Sequence, residues 1–190
     1  MLTGVGSGLS FCEDALEAVG HTPLVKLNRV VDGAACLVLA KIEYVNPGGS
    51  IKDRSVITLL DEARRRGLLK AGGTIVEITN GSAGSALAMA AAVRGYGCVL
   101  VVPEDAPAEK CDLFRAYGAS VVTTPRNESR ERLVQRLAAE YPDAFIPSLS
   151  LHDVGMRAHE RSSGPEIWGA TAGRITHLVV GTDTGATVTG

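Results

Sequence analysis

Three short loops carry the residue types that can do chemistry. In Asn46-Pro47-Gly48-Gly49-Ser50-Ile51-Lys52-Asp53-Arg54, a two-glycine turn puts Lys52 in the first turn of a helix. There the positive end of the dipole disfavours an ammonium and favours a neutral, nucleophilic amine. A lysine at a helix start is equally a solvated charge, and spacing alone leaves both readings open. Thr79-Asn80-Gly81-Ser82-Ala83-Gly84 follows an apolar strand and opens a small-residue helix, so its amides can receive an anion such as a carboxylate. A plain strand-to-helix turn has the same composition. Gly181-Thr182-Asp183-Thr184-Gly185-Ala186-Thr187 has the glycine and hydroxyl content of a phosphate cradle. The chain contains neither G-x-x-x-x-G-K-[ST] nor G-x-G-x-x-G, so a P-loop or Rossmann nucleotide site is not supported.

The elements that position these loops alternate between short β-branched runs and longer segments of helical period, the pattern of an α/β fold around a parallel sheet. Strands are expected at Cys36–Ile42, Thr74–Ile78, Cys98–Val102, Ser120–Thr124, Ala144–Ile146 and His177–Val180. Ser50, with Asp53 three residues on as in a capping box, starts a helix that Gly67 ends. Further helices are expected from Ser82 to Arg94 before Gly95, from Ala108 to Tyr117 before Gly118, and from Glu128 to Tyr141. The Ala and Gly content of the Ser82 helix predicts close packing against a sheet. After a mixed segment around Ile146–Asp153, a last helical stretch runs to Trp168.

Composition narrows the function. With 19 Lys+Arg against 21 Asp+Glu and a net charge of -2, the chain has no basic surplus for a nucleic-acid backbone. No apolar run approaches the ~20 residues of a membrane span. The start, MLTGVGSGLS, lacks the basic and apolar regions of a secretory signal, so the expected location is cytoplasmic. Cys12, Cys36, Cys98 and Cys111 show no ligand-like pairing, so no metal site is expected.

An ordered set of motifs goes further. Gly20-His21-Thr22-Pro23-Leu24-Val25-Lys26-Leu27, the Asn46–Arg54 loop, Gly72-Gly73-Thr74-Ile75-Val76-Glu77, Ala116-Tyr117-Gly118-Ala119 and Gly164-Pro165-Glu166-Ile167-Trp168 resemble the cysteine synthase and cystathionine β-synthase group of fold type II pyridoxal-phosphate enzymes. The likeness runs from about Ala15 to the last residue. It implies a tryptophan synthase β-like fold, a parallel sheet with flanking helices, and pyridoxal 5'-phosphate held by Lys52 as a Schiff base. It also implies β-replacement or β-elimination on an O-activated serine, with Lys52 as anchor and general base. Ser82, Thr184, Gly185 and Thr187 would bind the cofactor, and Thr79, Asn80 and Gly81 the substrate carboxylate.

Departures from the family pattern shape the remaining expectations. The family writes the second loop TSGNTG; here its ring-contacting asparagine is Ser82 and its carboxylate-binding threonine is Ala83, changes worth ~1 kcal/mol or more each. A glutamine pair further on is replaced by Ser148 and Leu149. In the phosphate loop, Asp183 sets a negative charge near a dianion and Ala186 adds a Cβ, so cofactor binding is expected to be weakened, as it also is by the short run after Thr187. Residues 36–147 would form a small α/β domain, and 1–35 with 148–190 an incomplete large one. Small amino-acid substrates and a homo-oligomer, or pairing with a full-length relative, follow from the resemblance. The alternative is a catalytically impaired or truncated homologue that acts through protein contact.

Overall fold

The computed structural model describes residues 11–79, 81–124, 129–141, 143–147 and 153–190. Its strands are β1 (Leu24–Lys26), β2 (Leu39–Lys41), β3 (Thr74–Ile78), β4 (Gly97–Pro103), β5 (Ser120–Thr124) and β6 (Ala144–Phe145). Its α-helices are α1 (Lys52–Arg65), α2 (Ser82–Arg94), α3 (Ala108–Ala116), α4 (Arg130–Ala139), α5 (Val154–Arg161), α6 (Ser163–Ala170) and α7 (Ala186–Thr189), with a 3-10 turn at Glu43–Val45.

The central sheet is parallel, in the order β5-β4-β3-β6. Successive side chains of a strand face opposite sides, and the core divides accordingly. Ile75, Leu100 and Val102 pack with Val56, Leu60 and Ala63 of α1, the buried run of α2, and Phe114 of α3. Val76, Val99 and Val101 pack on the other side with Leu133 and Val134 of α4. Helix α2 is buried from Gly84 to Ala91, and a Cβ at Gly84 would stand 2.7 Å from the Phe114 ring. Small residues there let α2 and α3 close on each other, and α2 also packs on β4, the sheet contact that the composition predicts.

Four sequence expectations are corrected. The segment expected as a strand at Cys36–Ile42 is ordered as β2 only over Leu39–Lys41, and it pairs antiparallel with β1 instead of joining the parallel sheet. His177–Val180 takes no regular secondary structure and pairs with no strand among the described residues, leaving Val179 96% exposed. β-branched composition favours an extended backbone; a strand also needs a neighbour for its amides and carbonyls. The stretch leading to Trp168 is two helices, broken at Ser162 (φ -131, ψ -74). Pro165 lies in the first turn of α6, where its missing N–H is harmless, but it cannot continue α5.

The fourth correction concerns the start of α1. Ser50 Oγ accepts from the Lys52 amide at 3.1 Å, but Asp53 does not complete a capping box. Its carboxylate reaches back to accept from the Gly48 amide at 2.6 Å. No helix among the described residues is long and apolar enough to cross a membrane.

Candidate functional site

Lys52 opens α1, half-buried, after a turn in which Gly49 takes φ +84. That left-handed backbone suits glycine and little else. α1 packs against α2, and its C-terminal half is tied to that of α2 by the Asp61–Arg94 ion pair at 2.8 Å. α2 begins where β3 ends, so Thr79, Gly81 and Ser82 lie at the carboxyl edge of the sheet, where ligands of open α/β folds bind, and Lys52 opens the helix packed against α2.

The second loop is shaped locally. The Thr79 amide extends the β3–β4 ladder by donating to Val101 O at 2.9 Å, and Thr79 Oγ1 accepts from the Gly81 amide at 3.4 Å. Gly81 and Ser82 are half-buried, and a Cβ on Gly81 would meet open space. Asn80, Ser148 and Leu149 lie outside the described residues.

The third loop is brought to Lys52 by an element that the sequence reading did not single out. Helix α5 packs against both α1 and α7. A Cβ at Gly155 of α5 would stand 3.1 Å from Ala186 Cβ and 3.9 Å from Ser55 Oγ, so Gly155 lets the three helices meet. The Ala186 methyl is thereby turned toward α5. His159, 2% exposed, sits at the junction. Its Nε2 stands 3.4 Å from Ser55 Oγ and 3.3 Å from Thr187 Oγ1, and its Nδ1 3.0 Å from Ser163 Oγ. Burial, reinforced by the Arg54 charge and opposed by Glu43, holds the imidazole below its ordinary pKa, and Lys52 adds to the effect. The ring is therefore neutral at neutral pH, with one nitrogen accepting and the other donating. The apolar spacing Val154, Ala158 was the available signal that this helix buries the face next to His159.

Thr184 and Asp183 are exposed, while Gly185 and Thr187 are half-buried. Gly185 has φ +83 and nothing within 4 Å of where a Cβ would be. The Asp183 charge stands in water, where its repulsion of an anion is screened.

Below Lys52 the helix is anchored by a charged cluster. Arg54, 4% exposed, gives two hydrogen bonds to Glu166 (2.7 and 2.8 Å) and two to Glu43 (2.7 and 2.9 Å). Lys41 adds a 2.6 Å bond to Glu166, and the His21 amide another at 2.9 Å. Burial pushes the Glu166 carboxyl up, but Arg54 and Lys41 outweigh it and hold it at about 2. Asp53 is the exception. It is fully buried, one carboxylate oxygen has no partner, and burial pushes its carboxyl up to about 6 despite the Gly48 amide. Arg54 and Glu166 stood in the sequence motifs, but nothing local tied one to the other.

These residues offer an amine, hydroxyls and open glycine backbone, the donor types that an aldehyde-bearing phosphate ester and a small carboxylate require. Pyridoxal 5'-phosphate needs an amine for its aldehyde and hydroxyl or amide donors for its ring and phosphate, and Lys52, Ser82, Thr184, Gly185 and Thr187 are residues of those types.

Comparison with known proteins gives a consistent picture. The family described as pyridoxal-phosphate dependent enzyme matches residues 15–190. A cystathionine beta-synthase of Apis mellifera is 41% identical over 185 residues, covering 93% of this chain and 37% of that protein. A probable cysteine synthase of Bacillus subtilis (strain 168) is 38% identical over 188 residues, covering 96% of this chain and 60% of that protein. The crystal structure of O-ureido-L-serine synthase superposes with a TM-score of 0.84 at 36% identity, over 94% of this chain and 57% of that one. The chain thus spans between about a third and three fifths of the length of these relatives.

Proposed function

Because the chain belongs to the pyridoxal-phosphate dependent enzyme family, we propose that it supplies the lysine-bearing part of a site for β-replacement or β-elimination on an O-activated serine, in the manner of a cysteine synthase. The observation that carries this reading is the packing of the Lys52-bearing helix α1 against both α2, which begins at Ser82, and α5, whose His159 joins Ser55 to Thr187. Residues 36–147, flanked by 1–35 and 148–190, form the two-part organisation that this reading assumes, with the site at their seam.

Pyridoxal phosphate, when bound, withdraws electrons from the α-carbon of an amino acid. The chain's own residues do the rest. The ε-amine of Lys52 would hold the aldehyde carbon and would serve as the base that takes the α-proton at Nζ. Thr79, Asn80 and Gly81 receive the substrate carboxylate, with Ser82 at the ring and Thr184, Gly185 and Thr187 at the phosphate. Ala83 contributes no hydroxyl to the carboxylate, so that anion rests on fewer donors than in the family pattern.

The substrate is a small amino acid, and the working form is an oligomer of this chain or a pairing with a longer relative, which would cover exposed Leu178 and Val179. We place the protein in the cytoplasm, a compartment that suits its unpaired thiols at Cys12, Cys36, Cys98 and Cys111.

An absorbance titration with pyridoxal phosphate tests the reading. The expected result is a visible band in the purified protein that does not form in Lys52→Ala. A protein that forms no band, or a variant that forms the same one, overturns it.

A further inference from the structure

We propose that His159 is a positioning residue that sets the phosphate-binding turn against the lysine-bearing helix, through the contacts that one imidazole nitrogen shares with the Thr187 and Ser55 hydroxyls. The inference rests on the assignment of Lys52 and Thr187 to the cofactor.

Three observations carry it. First, the ring is 2% exposed, so its polar atoms have only protein partners, and a buried imidazole keeps its place through the hydrogen bonds it makes. Second, those partners come from three different elements. Ser55 is on α1, Thr187 is on α7 and Ser163 is on α6, at 3.4, 3.3 and 3.0 Å. Ser55 lies three residues after Lys52, on the same face of α1. Nε2 therefore links the face that bears the amine to the hydroxyl assigned to the phosphate, while Nδ1 only ties α5 to the start of α6. Third, the described contacts of α7 run to α5, with Ala186 seated over Gly155. The position of Thr187 relative to Lys52 is thus decided by α5, and His159 is the polar contact that fixes it.

The two ring nitrogens make the role testable, because glutamine can reproduce the reach of Nε2 and asparagine that of Nδ1. Affinities for pyridoxal phosphate and for pyridoxal, which lacks the phosphate, are measured by absorbance titration of the purified full-length protein. The melting temperature of each ligand-free variant is recorded beside them. His159→Asn should lose about tenfold in its preference for the phosphorylated aldehyde, the scale of one hydrogen bond to a charged group, whereas His159→Gln should keep most of that preference. A purely structural ring would lower the ligand-free melting temperature in both variants and weaken both aldehydes in parallel; that result overturns the proposal. If His159→Asn does not fold, Ser55→Ala leaves the imidazole in place and removes its hold on α1. That variant should lose several-fold in the same preference, and an unchanged ratio overturns the proposal. A wild-type protein that takes up neither aldehyde fails the Lys52 assignment and this inference with it. Normal uptake with an unaltered ratio in every variant fails the inference alone.

Discussion

Arg54 and Glu166, 112 residues apart in the chain, meet side by side through hydrogen bonds of 2.7 and 2.8 Å. The Arg54 side chain is 2% exposed and that of Glu166 16%. This fork locks helix α6 to the helix that begins with Lys52. A geometry of this kind depends on the planar guanidinium and is not met by an ammonium.

Removing either partner strands a buried charge, so Arg54→Ala or Glu166→Ala should each cost about 3–5 kcal/mol of stability. Arg54→Lys should recover little of it, having lost the paired bonds to both Glu166 and Glu43. Urea unfolding monitored by circular dichroism measures these differences; a loss below ~1 kcal/mol in the alanine variants would mean that the cluster is not the anchor of α1.

Close packing at Gly84 has a stability consequence that Gly81 does not share. A methyl at Gly84 would come within 2.6 Å of Thr79 Cγ2 and 2.7 Å of the Phe114 ring, while one at Gly81 would meet open space. Gly84→Ala should cost about 1–3 kcal/mol through overpacking. Gly81→Ala, with an extended backbone (φ -126), should stay within about 0.5 kcal/mol of wild type. Equal melting temperatures for the two variants would contradict this.

Asp53 makes stability depend on pH in a definite direction. Its folded carboxyl, raised to about 6 from 3.8, binds a proton more tightly than the unfolded chain does. The stabilisation from that proton is complete below pH 3.8 and disappears as pH rises through about 6. Asp53→Asn keeps an oxygen for the Gly48 amide but cannot ionise. The variant should therefore gain on the wild type as pH rises from about 4 to 6 and hold a constant lead above that. His159, whose folded pKa is lowered, acts the other way: its contribution is present above the unfolded value and lost as pH falls. Because His159 is common to both proteins, it cancels in the difference. Parallel denaturation midpoints across this range would refute the Asp53 assignment.

The loop after β3 gives a gain-of-binding test. Ala83→Thr restores a hydroxyl where the family carries one, and it should tighten binding of a small amino acid to the cofactor-loaded protein about fivefold, or ~1 kcal/mol. Spectral titration with L-serine reads the change. An unaltered dissociation constant would show that the carboxylate sits elsewhere.

What the sequence by itself determined is local. Helix α2 starts at Ser82 and stops at Gly95, which takes the left-handed conformation (φ 71), because both signals act within a turn of where they stand. The bounds of β3 and β5 follow from β-branched runs between turns, and Lys52 falls at a helix start because of the glycine turn before it. Tertiary structure decided the rest. Asp53 had two possible amides within reach, and the fold gave it Gly48 instead of Ser50. His177–Val180 has strand composition but no partner among the described residues. His159 joins Ser55 to Thr187 across 104 and 28 residues of chain, as Arg54 finds Glu166 across 112. Such contacts depend on which helix faces lie together, and that is settled by the packing of the whole core, for which no short window of sequence carries the information.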